Sequence, residues 1–568
     1  MKMKRIGILP LVLVLTLALT ATSDSNQDKI YWGAEVPAGW NGDWAEKFQT
    51  VPEKTDFEKT TSTYQIHEFI NVLQWNSENV YVFNMFTSEL RKVCPVVVLA
   101  SPRITSVREA KASGKPVIYL QGSIHPPESP GKEALLMVMR DILMGDKKHL
   151  LDNQIILVCP NFNVDGTDTW SPSDGLPKLR GTRTNALGYD LNRDAIKLET
   201  NNVRELNRRV FNTWDPVLVH DTHCMGRVTH AYPIVYAASN VPTAHPEPRG
   251  YVTYELFPAV REAVKEKWGL EIYFHCGTER GKWPPTKWNH DYAAWTVEGK
   301  FIVSGYGLRN RMSILVESVW YNTYEKHIYS QYAYIHELLE YTDAHGKEMV
   351  KICQDADQDT VDQVLAKAES GELKNWVEGR YESKGKIDLL MYPEIESELI
   401  PGTSVRQIKP GVLEKGPVVV QGVEDFTKPV GIKQATMPRG YLIPADLDWL
   451  VEKLRIHSIK VDVLDKPIRV RGEEFVIDKL VKLRRGGYEM TKLEGGFFTG
   501  AEKEFPAGTF QVDMAQPVAN LAFYCLEPEV GDGFVGWGLL HDYLVELGVE
   551  ERSVVYPVFK YLQIVEED

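Results

Sequence analysis

The chain reads as an α/β protein, a mixed β-sheet flanked by helices over residues 60–350, followed by a smaller β-rich domain. Three observations predict this. Short β-branched or apolar runs alternate with helix-period runs up to about residue 350, a charged helical stretch follows, and period-two runs with Gly-containing turns dominate beyond it. A length of 568 residues exceeds one ordinary domain. With 43% hydrophobic and 25% charged residues, the composition is that of a soluble globular protein. The balance of 64 basic against 78 acidic residues, a net charge of -14, argues against a nucleic-acid partner.

Residues 1–23 have the three parts of a secretory signal peptide: Lys2, Lys4 and Arg5, an apolar stretch from Ile6, then small and hydroxylated residues near Ala21. This predicts a secreted protein, extracellular or periplasmic, with no stable membrane association once the leader is removed. An uncleaved anchor is the alternative, because an apolar run of ~18 residues begins to be long enough to span. Residues 24–59 form an N-terminal segment before the predicted α/β domain, 60–350.

Within that domain a helix is expected over Thr61–Leu73. Strands are expected at Val96–Leu99, Pro116–Leu120, Ile155–Val158, Val217–Val219, Phe301–Val303 and Ser313–Val316, with helices at Pro130–Met144 and Asn201–Phe211. Residues 351–375 read as a helical linker. Residues 376–568 read as the β-rich accessory domain, with runs such as Lys466–Arg471. The six cysteines make no C-x-x-C pair, so zinc-ribbon and thioredoxin-type sites are excluded. Export would permit disulfides. Cys224 and Cys276, each following a histidine, are read as buried thiols or disulfide partners rather than ligands.

The stretch GSIHPPES follows the strand-like Val117–Leu120 and holds His125 and Glu128 three residues apart. The two prolines between them restrict the backbone. Ser129 can cap the next helix and Pro130 can start it, which places the pair at the carboxyl edge of the sheet, where ligands bind in α/β folds. A second H-x-x-E, His345 to Glu348, has no strand before it and reads as a solvated helix face.

A catalytic zinc takes three protein ligands and leaves one position open, and HDTHCMGRVTH offers His220, His223 and His230. His223 is preferred because Asp221 makes a strand-end Asp-x-His with it. His220 remains an alternative, and His230 reads as a core histidine. RGTRTNALGYDLNRD supplies Arg180, Arg183, Asn192 and Arg193, and guanidinium groups suit planar carboxylates. ILVES ends a strand-like run on Glu317.

GSIHPPES, CPNFNVDG, RTNALGYDLNRD, HDTHC and ILVES, in this order, resemble the zinc carboxypeptidase family over about residues 60–345. Secreted members of that family carry a signal peptide. The resemblance implies one zinc ion held by His125, Glu128 and His223. It implies Glu317 as the general base that takes a proton from the attacking water and delivers it to the leaving amine. Asn192 and Arg193 would hold the terminal carboxylate of a peptide substrate, Asp190 would orient the first histidine, and Arg183, with Arg180 as a competitor, would stabilise the oxyanion. The tyrosine that covers the substrate in many members has only Tyr306 as a candidate. The prolines of HPPE stand where the family has small or polar residues, and NVDG stands where Asn-Pro-Asp-Gly is common.

The residue types suit that chemistry on physical grounds. Zinc lowers the pKa of a bound water to around 7 and polarises a carbonyl, a carboxylate moves the proton, and an oxyanion donor is worth ~10²–10³ in rate. The expected activity is therefore that of a secreted zinc metallocarboxypeptidase hydrolysing C-terminal peptide bonds. A zinc deacylase of N-acyl amino acids, of desuccinylase or aspartoacylase type, is the alternative. A third is a non-catalytic peptide- or glycan-binding protein presenting Trp283, Trp288 and Trp295.

Overall fold

The computed structural model describes residues 29–565, apart from 170–180, 227, 280, 291–295, 320, 394–396, 400–405, 409–412, 414–415 and 486. The expected leader, Arg180 and Trp295 lie outside the described residues.

An eight-stranded mixed sheet carries the site. Its strands in chain order are β1 (Val80–Thr87), β2 (Val93–Leu99), β3 (Val117–Gln121), β4 (Ile155–Cys159), β5 (Leu218–Met225), β6 (Ile234–Ala238) and β7 (Tyr273–Phe274). Two short strands, β8 (Gly277–Thr278) and β9 (Lys287–Asn289), belong to another sheet, and β10 (Met312–Val319) completes the first. The spatial order is β1-β2-β4-β3-β5-β10-β6-β7. The neighbours β4, β3, β5 and β10 run parallel to one another, whereas β2 is antiparallel to β4 and β6 to β10. The chain leaves β3 toward β4 on one side and returns to β5 on the other. That reversal opens a crevice at the carboxyl ends of β3 and β5.

Alternation along the strands gives the sheet two apolar faces. Val97, Leu120, Val158, Leu218 and Ile314 pack under α1 (Thr63–Asn76), α2 (Pro130–Met144), α4 (Phe257–Trp268) and α6 (Tyr324–Lys367). Val96, Tyr119, Leu157 and Val219 face α3 (Asn201–Leu206) and α5 (Ile302–Gly307). Burial on both faces is why these strands read as continuous apolar runs.

Two local expectations are corrected. Phe301–Val303 is not a strand: Phe301 precedes α5, and Ile302 and Tyr306 pack on Phe211 and the α3 side of the sheet. An apolar triplet has no readable period, so helix and strand cannot be separated from it. Ser129 makes no side-chain cap and has helical φ/ψ, its hydroxyl lying 3.0 Å from the Tyr324 hydroxyl. Pro130 does open the helix.

Helix α6 runs unbroken from Tyr324 to Lys367 and leads into the β-rich region. There the long strands Ile468–Arg485 and Tyr488–Phe505 form an antiparallel hairpin. The region shares a core with the first part of the chain, since Ile196, Val241 and Leu308 pack among Leu447, Phe475 and Phe523. Strand Val418–Phe426 also pairs in parallel with β9. Among the described residues no helix is long and apolar enough to cross a membrane.

Candidate metal centre and active site

The loop after β3 brings His125 and Glu128 to the crevice. A hydrogen bond from the Glu128 N–H to the His125 carbonyl, 2.9 Å, closes the Pro-Pro turn. Pro126 fills the space left by two glycines, one in NVDG and one in RGTR: a Cβ on Gly166 would lie 3.0 Å from Pro126 Cγ, and one on Gly181 would lie 2.5 Å from Pro126 Cβ. Gly181 has φ +123°, which other residues rarely adopt. The stiff turn thus locks three motifs together. From the other side, Gly131 in the first turn of α2 lets the helix backbone touch β5, since a Cβ there would lie 2.1 Å from Thr222 Oγ1.

Strand β5 supplies His223. His125, Glu128 and His223 each offer a donor atom, all within 4.8 Å of one another. His223 Nδ1 is 2.8 Å from Glu128 Oε2, and His125 Nδ1 is 3.1 Å from Glu128 Oε1. The second contact lacks hydrogen-bond alignment, so His125 Nδ1 is a buried nitrogen without a hydrogen-bond partner. Both imidazoles therefore turn Nδ1 to a common point and use Nε2 elsewhere. His125 Nε2 donates to Asp190 Oδ1 at 2.9 Å, and His223 Nε2 donates to Asp221 Oδ2 at 3.0 Å. Carboxylates behind ligand histidines fix the tautomer and orientation of the ring. Two imidazole nitrogens and one carboxylate oxygen at this spacing fit zinc and leave room for a fourth partner.

Asp190 also accepts from Arg183 Nε, 3.0 Å, and from the Asn192 N–H, 3.0 Å. Burial opposes its charge, but His125 and Arg183 hold its carboxyl far below the usual range. Arg183 spans the site, with Nη1 3.0 Å from Glu128 Oε1. Burial likewise disfavours the charge of Glu128, and His125 and His223 more than offset it, so the carboxylate is ionised. Arg183 Nη2 has no partner among the described residues.

Arg193 donates to the Asn192 carbonyl, 2.8 Å, and lies 4.7 Å from the Phe301 ring centre. Among the described residues it has no acidic partner within ion-pair distance. Asn192 is buried; its side-chain oxygen accepts from the Ile302 N–H at 2.9 Å, and its Nδ2 is 3.4 Å from His223 Nε2. Since His223 Nε2–H points to Asp221, that nitrogen cannot accept from the Asn192 amide.

Glu317 lies on β10 directly opposite His223 in the parallel pair, so both side chains leave the sheet on one face. Its Oε2 is buried without a hydrogen-bond partner, and Oε1 is 4.0 Å from His275 Nε2. Burial, reinforced by Glu128 and opposed by His223 and Arg183, pushes its carboxyl up to about 8.

Other sequence candidates fall elsewhere. His220 is on the opposite face of β5, stacked on Tyr334, and burial pushes its pKa down to about 3. His230 is a core residue packed on Trp288. His345 and Glu348 are exposed on α6, 3.5 Å apart. Tyr306, the candidate substrate cover, is buried with its hydroxyl on the Pro216 carbonyl and cannot reach the crevice. All six cysteines are free thiols; Cys94 and Cys159 lie 3.5 Å apart, and Cys224 Sγ is 3.1 Å from Ser318 Oγ. Of the tryptophans, Trp288 is core and Trp283 is half-exposed. Asp221 is the positioning residue whose role sequence reasoning did not assign; its signal is the Asp-x-His spacing, which puts both side chains on one strand face.

A family profile described as "Zinc carboxypeptidase" matches residues 37–244, a span that contains His125, Glu128, Arg183, Asp190, Asn192, Arg193 and His223 but not Glu317. The protein named "Carboxypeptidase 2" of Trichophyton equinum is 23% identical over 508 residues, 85% of this chain and 83% of that protein. The "Carboxypeptidase 2" of Trichophyton rubrum is 29% identical over 150 residues, 26% of this chain and 25% of that one. The crystal structure of a metallo-carboxypeptidase from Burkholderia cenocepacia superposes with a TM-score of 0.37 and 18% identity, covering 50% of this chain and 70% of that one. Residues 37–244 thus match the zinc carboxypeptidase family, and the likeness to relatives named carboxypeptidase extends over 85% of the chain.

Proposed function

We propose that the protein is an exported zinc-dependent carboxypeptidase that removes C-terminal residues from peptides. The observation that carries this reading is the convergence of His125, Glu128 and His223 beside Arg193, which has no acidic ion-pair partner among the described residues. Export rests on the residue pattern of 1–23.

Bound zinc would supply Lewis-acid polarisation of the scissile carbonyl and acidify a water at the open position. The protein groups do the rest. Arg193 receives the terminal carboxylate, since a guanidinium with no acidic partner gains most from one. Arg183 keeps Nη1 and Nε on Glu128 and Asp190 and offers Nη2 to the oxygen of the carbonyl as charge develops there. Glu317, whose raised pKa the positive charge of bound zinc would lower again, accepts in its ionised form the proton of the attacking water and passes it to the leaving nitrogen. Its half-buried position excludes bulk water from that transfer.

The reading is tested with the zinc-loaded chain on peptide pairs that differ only in a free or amidated C-terminus, beside N-acyl amino acids. Cleavage of the free acids, loss of cleavage on amidation, and loss of nearly all turnover in Glu317→Gln with zinc retained are expected. Preference for the small N-acyl substrates would replace it with the deacylase reading.

A further inference from the structure

The hairpin of the β-rich region reaches the rim of this site. Its strands Ile468–Arg485 and Tyr488–Phe505 reverse at Gly487, φ +89°. On the way in, Arg485 forms an ion pair with Glu298, which also pairs with Lys300. Lys300 Nζ lies 5.3 Å from the Phe301 ring, the same ring that carries Arg193. On the way out, the Tyr488 ring lies 5.8 Å from Lys197 Nζ. That ammonium is also 5.8 Å from the Tyr189 ring and 4.6 Å from Trp537, and Trp537 meets Tyr488 edge to face at 5.6 Å. Tyr189 directly precedes Asp190. The hairpin tip is therefore fixed on one side to the segment under Arg193 and on the other to the segment that carries Asp190.

Tyr488 is placed for more than packing. Its ring is half-buried, and its hydroxyl has no hydrogen bond among the described residues. The charged groups around Tyr488 include the Lys197 ammonium, 5.8 Å from its ring, and Asp190, Arg193 and Arg183, which act on the phenol electrostatically. Burial and Asp190 push its pKa up while the two arginines pull it down, and the net rise keeps it a neutral donor at neutral pH. A tyrosine serves such a position well, offering an apolar face to a side chain and a hydroxyl to a carboxylate.

We propose that Tyr488 forms the wall of the substrate site that meets the C-terminal residue of the peptide, so that the β-rich region takes part in substrate selection. This rests on the carboxypeptidase reading above. It assigns the hairpin a task in binding, with the ring contacting the last side chain and the hydroxyl donating to the terminal carboxylate beside Arg193.

The test uses the full, zinc-loaded chain, its Tyr488→Phe and Tyr488→Ala variants, and peptides ending in alanine, leucine or phenylalanine. Tyr488→Phe should raise KM about three- to tenfold with kcat within about twofold, as expected for one lost hydrogen bond. Tyr488→Ala should change the ratio of kcat/KM between phenylalanine- and alanine-ended peptides by about tenfold. Thermal midpoints are measured alongside; if Tyr488→Ala does not fold, the Tyr488→Phe result decides. Wild-type cleavage with both variants unchanged in KM and in selectivity overturns the wall and leaves the carboxypeptidase reading standing. If the wild type cleaves no peptide, calorimetric binding of N-acetyl-phenylalanine decides: weakening in the Tyr488 variants supports the wall while the peptidase reading falls. Binding unaltered by the variants, or no binding to the wild type, overturns both.

Discussion

Replacing Gly131 by alanine tests how the helix that follows HPPE sets the spacing of the ligands. In an open helix this change stabilises by about 1 kcal/mol. In this chain the new methyl would lie 2.3 Å from Thr222 Cβ and 2.1 Å from Thr222 Oγ1. Carbon atoms rest at about 3.5 Å or more, so the first turn of α2 must move from β5 by about 1.2 Å, unless Thr222 gives way. Thr222 is fully buried, and its hydroxyl donates to the Gln121 carbonyl, 3.1 Å, so it has nowhere to go. Glu128 sits three residues before Gly131, and His223 sits next to Thr222, so the displacement opens the gap between the two ligands. Zinc bonds of about 2.0–2.2 Å do not stretch by that amount. We expect Gly131→Ala to lose about 1–3 kcal/mol of stability, as overpacked sites do, and to bind zinc at least tenfold more weakly in a chelator competition. Adding Thr222→Gly should restore zinc affinity, whereas Thr222→Ala should not, because Cβ itself is in the way. A Gly131→Ala protein with wild-type zinc affinity and equal or greater stability would refute this account of the ligand spacing.

Two further perturbations probe the surroundings of the site. Asp190→Asn puts an amide against three donors, His125 Nε2, Arg183 Nε and the Asn192 N–H; zinc affinity should fall about 10- to 100-fold, and an unchanged value would remove its orienting role. Lys326 is buried with its ammonium on the Tyr31 and Glu35 carbonyls, 2.8 and 2.6 Å, and burial pushes its pKa down from 10.5 to about 7. Between these two values the unfolded chain binds the extra proton, so stability rises with pH there, and the cost is fully present below about 7. Relative to Lys326→Met, denaturant unfolding of the wild type should gain up to ~1.4 kcal/mol per pH unit in that window; parallel pH profiles would contradict the placement.

What the residues revealed beforehand was whatever short-range chemistry specifies. Pro130 after a strand and a rigid turn marks a helix start, and Val117–Leu120 marks a buried strand, so the location of His125 and Glu128 followed. His223 lies on the face of β5 that meets the HPPE loop and His220 on the other, a separation legible in the Asp-x-His spacing because side chains alternate along a strand. Ser129 misled because capping is one use of a hydroxyl and Tyr324, nearly 200 residues on, offered another. Phe301–Val303 misled because three apolar residues suit either element. Tyr306 sits on the apolar side of α5, where its neighbours Phe211 and Pro216 come from another part of the chain. The placement of Tyr488 against Lys197 and Trp537, beside the segment that carries Asp190, has no sequence signal at all, because it depends on how the β-rich region packs on the sheet.

The central claim is that HPPE and HDTHC build one zinc site. Its most direct test is elemental analysis of the purified protein beside His125→Ala and His345→Ala. The geometry predicts about one zinc per chain in the wild type, lost in His125→Ala and kept in His345→Ala, whose imidazole is exposed on α6. A folded wild type that holds no zinc after zinc is supplied, or a His125→Ala protein that holds it as well as the wild type, would contradict the account.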